Sequence, residues 1–217
     1  MRWVTFDCFG TLVDWRHGIT TSADLAFPGL GGRLLTHYLK HEVAVEEESP
    51  SMRYRDVLTE SLRRSCADEG LDPGESVSVL ADTIPHWPVY PEVGHELGAL
   101  RAAGWRLALL TNCDRDLIAE TLRRLPVPFD AVVTAEDVGG YKPAHGHFTR
   151  FREVHEPRVW VHVAQSYTHD IVPAHTLGLP RVWINRHGER PSDPSIVQET
   201  QPDLHDLVGT VARVSAA

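Results

Sequence analysis

The sequence predicts a doubly wound α/β sheet carrying an inserted helical block, and three observations predict it. Short apolar runs stop abruptly at turns containing Gly, Asn or Asp, as buried parallel strands do. Those runs alternate with helical sequence through most of the chain. Residues 16–90 break the alternation and read as helix only. With 217 residues, 42% of them apolar and 24% charged, the chain is long enough for one sizeable core interrupted by an insertion. The expected division is a core of residues 1–15 and 91–217 and a helical cap of residues 16–90.

The first strand is Arg2-Trp-Val-Thr-Phe6, and Asp7-Cys-Phe-Gly-Thr11 is the turn that ends it. Helices are expected at 34–47, 53–69 and, more weakly, 75–84. In the second, Tyr54, Leu58, Leu62 and Cys66 recur every fourth residue, and Gly70 follows as a C-cap. Pro85, Pro88 and Pro91 punctuate the return to the core. Strand 105–110 then runs into Thr111-Asn-Cys-Asp114, and Leu117, Ile118, Thr121, Leu122 and Leu125 share one helical face after it. Further strands are expected at 131–133, 159–163 and 182–184. The polar tail offers a short helix near 204–211. A helical block placed after the first strand reads as a lid over the strand ends.

Composition excludes several roles. Net charge is 21 − 30 = −9, which gives no footprint for nucleic acid. No apolar stretch reaches the ~18 residues of a membrane span, and the segment after Met1 does not read as a signal peptide, so a cytoplasmic location is expected. Cys8, Cys66 and Cys113 show no CxxC spacing, which points to neither a disulfide framework nor a zinc site.

Ligands of open α/β sheets bind outside the carboxyl ends of strands. Three such ends carry polar residues here: Asp7 with Thr11, Thr111 with Asn112, and Ser166 with Asp170. Lys142 lies in a Gly-Gly-Tyr-Lys-Pro loop between the later strands. Buried charges need partners, so these groups read either as a structural ion pair at a loop or as an aspartate nucleophile balanced by lysine. On the second reading Lys142 holds Asp7 ionised at a low pKa.

Asp7-Cys-Phe-Gly-Thr-Leu-Val-Asp14, Leu110-Thr-Asn112, Tyr141-Lys-Pro143 and His169-Asp170, in that order and with the helical insertion between the first two, resemble the four motifs of the haloacid dehalogenase superfamily. The resemblance spans nearly the whole chain and implies a Rossmann-like core with a cap. Superfamily phosphatases place a proton-donating aspartate two residues after the nucleophile; this chain has Phe9 there. An alkoxide needs a general acid to leave, whereas a halide does not. Together with Trp15-Arg16 and Trp183-Ile-Asn-Arg186, this is similar to the type II 2-haloacid dehalogenases.

The resemblance implies that Asp7 attacks the α-carbon of a small 2-haloacid, and that water then hydrolyses the resulting ester. It gives Lys142 and Thr11 to the Asp7 carboxylate and Thr111 to the substrate carboxylate or Asp7. Asn112 goes to the departing halide, and Asp170 to Lys142 or the hydrolytic water. Phe9, with Trp15 and Tyr141, is expected to line a halide pocket. The family's cap arginine corresponds to Leu39, with Lys40 beside it, and its tyrosine six residues after the lysine corresponds to Phe148. Gln165 and Tyr167 replace a Ser and an Asn, with Ser166 as a compensating group. Lys40, Arg53 and Arg55 are the cap cations available to a carboxylate. Glu46-Glu47-Glu48 reads as an exposed helix end, and His17, His145, His147 and His169 as polar loop residues. The alternatives are a superfamily hydrolase of another small substrate, such as a magnesium-dependent phosphatase, and a non-catalytic binding protein of the same fold; no cofactor is expected, magnesium entering only if the chain is phosphatase-like. The partners expected are a small-molecule substrate and a second copy in a homodimer, without nucleic acid or membrane.

Overall fold

The computed structural model describes residues 1–216. Its elements in chain order are β1 (Arg2–Phe6), α1 (Trp15–Ala26), α2 (Gly31–Glu48), α3 (Tyr54–Asp68), α4 (Val79–Thr83), α5 (Val93–Ala102), β2 (Arg106–Thr111) and α6 (Arg115–Leu122). They continue with β3 (Ala131–Thr134), α7 (Ala135–Val138), α8 (Gly146–His155), β4 (Val159–Ala164), α9 (Val172–Thr176), β5 (Arg181–Ile184), β6 (Thr200–Gln201) and α10 (Leu207–Ala216). The described strands form one parallel sheet in the order β3-β2-β1-β4-β5-β6. In this order the chain turns from one half of the sheet to the other between β1 and β4. A crevice opens there at the strands' carboxyl ends.

Alternation along each strand divides the core into two layers. Val4, Phe6, Leu107, Leu109, Val161 and Val163 pack on one face, against apolar residues of α5 and α10. Trp3, Ala108, Leu110 and Trp160 pack on the other, against Phe148 and Phe151 of α8. Both faces are therefore covered, which is why these strands are nearly continuous apolar runs. Phe148, the family's tyrosine position, lies in this second layer.

The helical block follows the expectation in part. Leu34, Tyr38 and Val45 of α2 pack with Val57, Leu58 and Leu62 of α3, and this cluster is continuous with the first sheet layer. Trp15 opens a helix, α1, that the apolar pattern did not announce; Asp14 caps it by accepting the His17 N–H at 3.1 Å. The weak third helix resolves into two 3₁₀ turns, Gly74–Ser78 and Ile84–His86, flanking the five-residue α4. One core side chain pins the block. Asp114, buried before α6, accepts the first two N–H groups of α3, from Tyr54 at 2.9 Å and Arg55 at 2.8 Å. A carboxylate at a helix N-terminus also complements the helix dipole. The two-residue β6 was too short to be read from sequence, and the C-terminal helix runs beyond its expected 204–211.

Candidate active site

The turn after β1 places Asp7 at the crevice. Gly10 adopts φ 101°, and a Cβ there would stand 2.7 Å from Gln165 Oε1 and 2.9 Å from Trp15 Nε1. Any other residue would meet both the left-handed backbone and that clash. The turn also brings Thr11 back over Asp7: its Oγ1 donates to Asp7 Oδ2 at 3.2 Å and accepts the Gln165 N–H at 2.9 Å.

Lys142 is 2% exposed, and its ammonium is fully used. It donates to Asp7 Oδ1 at 2.9 Å, Asp170 Oδ1 at 2.7 Å and the Leu110 carbonyl at 2.8 Å. Three hydrogens meet three acceptors from the ends of β1, β2 and the turn after β4. Asn112 secures the lysine's own peptide, donating to the Lys142 carbonyl at 3.2 Å and accepting its N–H at 2.7 Å. That amide lines the cavity, but its hydrogen bonds serve the lysine loop, a use the sequence did not suggest.

A π-helical turn, Tyr167–Ile171, delivers Asp170, and Ser166 caps it by accepting the His169 N–H at 3.1 Å. Such turns insert a residue and re-aim side chains at functional sites. Asp170 also receives His162 Nε2 at 3.0 Å, while its Oδ2 is buried and has no partner within the protein.

The expectation for Asp7 needs correcting. One ammonium serves two buried carboxylates, so both cannot be held low. Burial, together with the charge of Asp170, leaves the Asp7 carboxyl above its ordinary value despite Lys142. At Asp170 burial is outweighed by Lys142 and His162, which bring it to about 2. Asp170 is thus the more acidic of the pair, and Asp7 keeps the more basic carboxyl.

The cavity between these groups and α2 has a volume of about 340 Å³. Phe9, Trp15, Thr111 and Ser166 line it as expected; Tyr141 does not, because its hydroxyl donates to the Met52 carbonyl. Thr111 is almost wholly buried, with Oγ1 accepting the Cys113 N–H at 3.2 Å. On α2, Leu39, Glu42, Val43 and Glu46 face the cavity, at the i, i+3, i+4 and i+7 positions of one helical stripe. Lys40 falls on the exposed side. Arg53 and Arg55 are tied to Asp116 at 3.1 and 3.3 Å, on the outer surface.

The reading of Glu46 as part of an exposed end is overturned: it is 8% exposed, and only Glu47 and Glu48 reach solvent. Burial and the neighbouring Glu42 push its carboxyl up to about 9, against the pull of Asn112 and Lys142. Glu42 accepts Tyr38 OH at 2.9 Å and Tyr54 OH at 2.7 Å, both on Oε1. His147 is likewise no loop residue; it is buried in α8, donates to the Thr111 carbonyl at 3.0 Å, and is driven down to about 4 by burial.

His162 is the other group that sequence reasoning missed. It stands opposite Thr5 in the β1–β4 register and shares a 2.8 Å hydrogen bond with it, and Trp160 Nε1 donates to Thr5 at 2.8 Å. An ionised Asp170 can only accept, so the ring's Nε2–H points at it; in the neutral ring Nδ1 then accepts from the Thr5 hydroxyl, which itself accepts the indole N–H. Its position in an apolar run, 159–163, hid it; the signal available was a lone polar residue on a buried strand.

Magnesium in a phosphatase-like site would draw on Asp7, the Phe9 carbonyl and Asp170. Among the described residues no three metal-ligating side chains come together. Asp7 gives both oxygens to Lys142 and Thr11, so Asp170 Oδ2 is the one uncommitted carboxylate oxygen of that pair.

The sequence profile of the haloacid dehalogenase-like hydrolases matches residues 1–167. The chain is 26% identical over 236 residues to phosphoglycolate phosphatase of Salmonella paratyphi A, covering 96% of this chain and 93% of that one. It is 24% identical to haloacetate dehalogenase H-2 of Moraxella sp., covering 85% and 86%. The crystal structure of L-2-haloacid dehalogenase from Xanthobacter autotrophicus superposes with a TM-score of 0.85 at 19% identity, over 98% of each chain. No helix among the described residues is long and apolar enough to cross a membrane.

Proposed function

The chain belongs to the haloacid dehalogenase-like hydrolases, and from that premise we propose that it hydrolyses carbon–halogen bonds of small molecules, in the manner of 2-haloacid dehalogenation, through an ester on Asp7. The observation that carries this reading is the pairing of Asp7 with a saturated Lys142 while Phe9 occupies the proton donor's position. A carboxyl held above its ordinary value is the better nucleophile of the two, and nothing at Phe9 protonates a leaving group.

In the first step a carboxylate oxygen of Asp7 bonds to carbon, the carbon–halogen bond breaks, and halide leaves with the electron pair. Phe9, Trp15 and Val43 give it an apolar wall. In the second, water adds to the Asp7 acyl carbon and the acyl–oxygen bond breaks. The alcohol leaves with inverted configuration and Asp7 is regenerated. Thr11 holds the carboxylate's orientation, and Lys142 balances the charge that develops on it. Asp170 holds Lys142 in place or orients the water. Thr111 and Ser166 stand on the wall that faces the substrate.

Phosphate-ester hydrolysis is favoured by one observation, the uncommitted Asp170 Oδ2 beside Asp7, and by the phosphatase relative. Halide release from chloro- and bromo-acetates and propionates, with chelator or with magnesium and beside Asp7→Asn, separates the two. Chelator-resistant halide release lost in Asp7→Asn supports dehalogenation. Magnesium-dependent phosphate release from an aryl phosphate, with no halide, replaces it. The expected cytoplasmic location and homodimer remain part of the proposal.

A further inference from the structure

The cavity's charge balance runs against a carboxylate substrate. Asp7, Asp170, Glu42, Glu46 and Glu189 line it, with Lys142 and Arg16 as the fixed cations. Both cations are engaged, Lys142 by Asp7 and Asp170 and Arg16 by Glu189 at 2.9 Å. Neither Glu42 nor Glu46 has a lysine or arginine within 4 Å among the described residues, and the nearest basic group to Glu46 is His169 Nε2 at 3.9 Å. At the place of the family's arginine stands Leu39.

Glu42 is built in rather than adrift. Tyr38 and Tyr54, both buried, donate to a single oxygen, which fixes the carboxylate and leaves Oε2 uncommitted. Tyr38 and Tyr54 support the Glu42 carboxyl with two donors, yet burial holds it above its ordinary value, so Glu42 and Glu46 both lack the counter-charge that a cation would bring. Glu46 is more than nine-tenths buried and faces the same space one helical turn on. Across the cavity Lys142 is spent on Asp7 and Asp170, and Asp170 Oδ2 is buried without a partner, so neither wall offers a spare cation.

We propose that the substrate carries a protonated amine, held on the cap side by Glu42 and Glu46 while its reactive carbon faces Asp7. The inference rests on Asp7's cavity being the substrate site, and it holds whichever bond Asp7 cleaves. An ammonium brings the cation that the glutamates lack and gains two desolvated partners; a carboxylate brings a sixth acid to a wall without a counter-charge.

The test titrates the protein with propylammonium chloride and with sodium propanoate at equal ionic strength, by calorimetry and thermal shift. Propylammonium is expected to bind at least ten-fold tighter than propanoate and to raise the melting temperature. Glu42→Gln/Glu46→Gln is expected to abolish that preference. Leu39→Arg, which leaves both glutamates and their tyrosines in place, is expected to reverse it, and it decides the matter if the double variant fails to fold. Equal binding of the two probes, or tighter propanoate binding by the parent protein, overturns the inference. Halide release from 3-chloropropylammonium and 2-chloropropanoate is read separately. Ammonium preference with no halide from either sinks the dehalogenase reading and leaves this one standing. Turnover of 2-chloropropanoate with a KM unmoved by Glu42→Gln/Glu46→Gln does the opposite.

Discussion

The two walls of the cavity are built on different principles. On the sheet side Asp7, Thr11, Lys142 and Asp170 are held by six hydrogen bonds among themselves and to Leu110, His162 and Gln165. On the α2 side Glu42 is anchored through one oxygen only, and Glu46 meets no strong cation. A wall whose polar groups satisfy one another positions chemistry and has little freedom to choose a substrate. A wall with uncommitted acceptors has freedom to choose and little part in chemistry. On the proposed function, bond cleavage belongs to the sheet and recognition to the helix.

Lys142→Met attacks that contrast hardest. It strands two buried carboxylates and is expected to lower unfolding stability by about 3–5 kcal/mol, read from the denaturant midpoint, along with turnover. Asp7→Asn is expected to keep the fold while turnover falls on the order of 10⁴-fold or more. If Lys142→Met unfolds at the parent's midpoint, the sheet side is not the braced wall described here. Thr11→Val removes one hydrogen bond to a carboxylate and one to a backbone amide. Turnover is expected to fall roughly 10- to 100-fold, with circular dichroism unchanged.

Glu46 sharpens the other half of the comparison through pH. Its folded-state value, about 9, lies above the ordinary glutamate value. Between those two values the folded chain keeps a proton that the unfolded chain has released. Stability therefore falls as pH rises through that window. Glu46→Gln is expected to flatten this decline in urea midpoints measured from pH 5 to 9, and an unchanged slope counts against the buried acid. The smallest effect is expected at His162. His162→Leu takes one donor from Asp170, and turnover should drop about three- to ten-fold, the cost of one hydrogen bond to a charged group partly made good by Lys142. A drop that matches Lys142→Met would make the ring a full partner in the charge balance.

Which parts of this were legible in the sequence follows from the same contrast. Asp7, Thr11, Thr111 and Asp170 sit at or just beyond strand ends, where a short apolar run fixes both the element and the direction of the residue that follows. The strands β1 to β5 were readable for that reason, each within one residue at either end. Glu42 and Glu46 depend on which face of α2 turns inward, and that depends on how the helix docks, which no local pattern states. Placing Leu39 at the arginine position already implied the answer, since residues 42, 43 and 46 share its stripe; three consecutive glutamates masked it. Asp114, buried by its grip on α3, is a tertiary cap between segments 60 residues apart. Asn112 was found but its bonding was not, because its partner is a backbone group 30 residues away.

The saturated ammonium of Lys142 has one more consequence, for when the protein becomes active. Its bond to Asp7 closes a span of 135 residues, while the one to Asp170 closes 28. Contacts of long sequence separation carry the larger loop-closure cost and tend to form late. A chain that has assembled β4, its following turn and the lysine loop can hold the Lys142–Asp170 half of the centre with β1 still undocked. Joining β1 then brings Asp7 to its counter-charge in the same event that completes the middle of the sheet. Activity on refolding should therefore return with the slowest sheet-forming phase and not with the bulk of the helical signal.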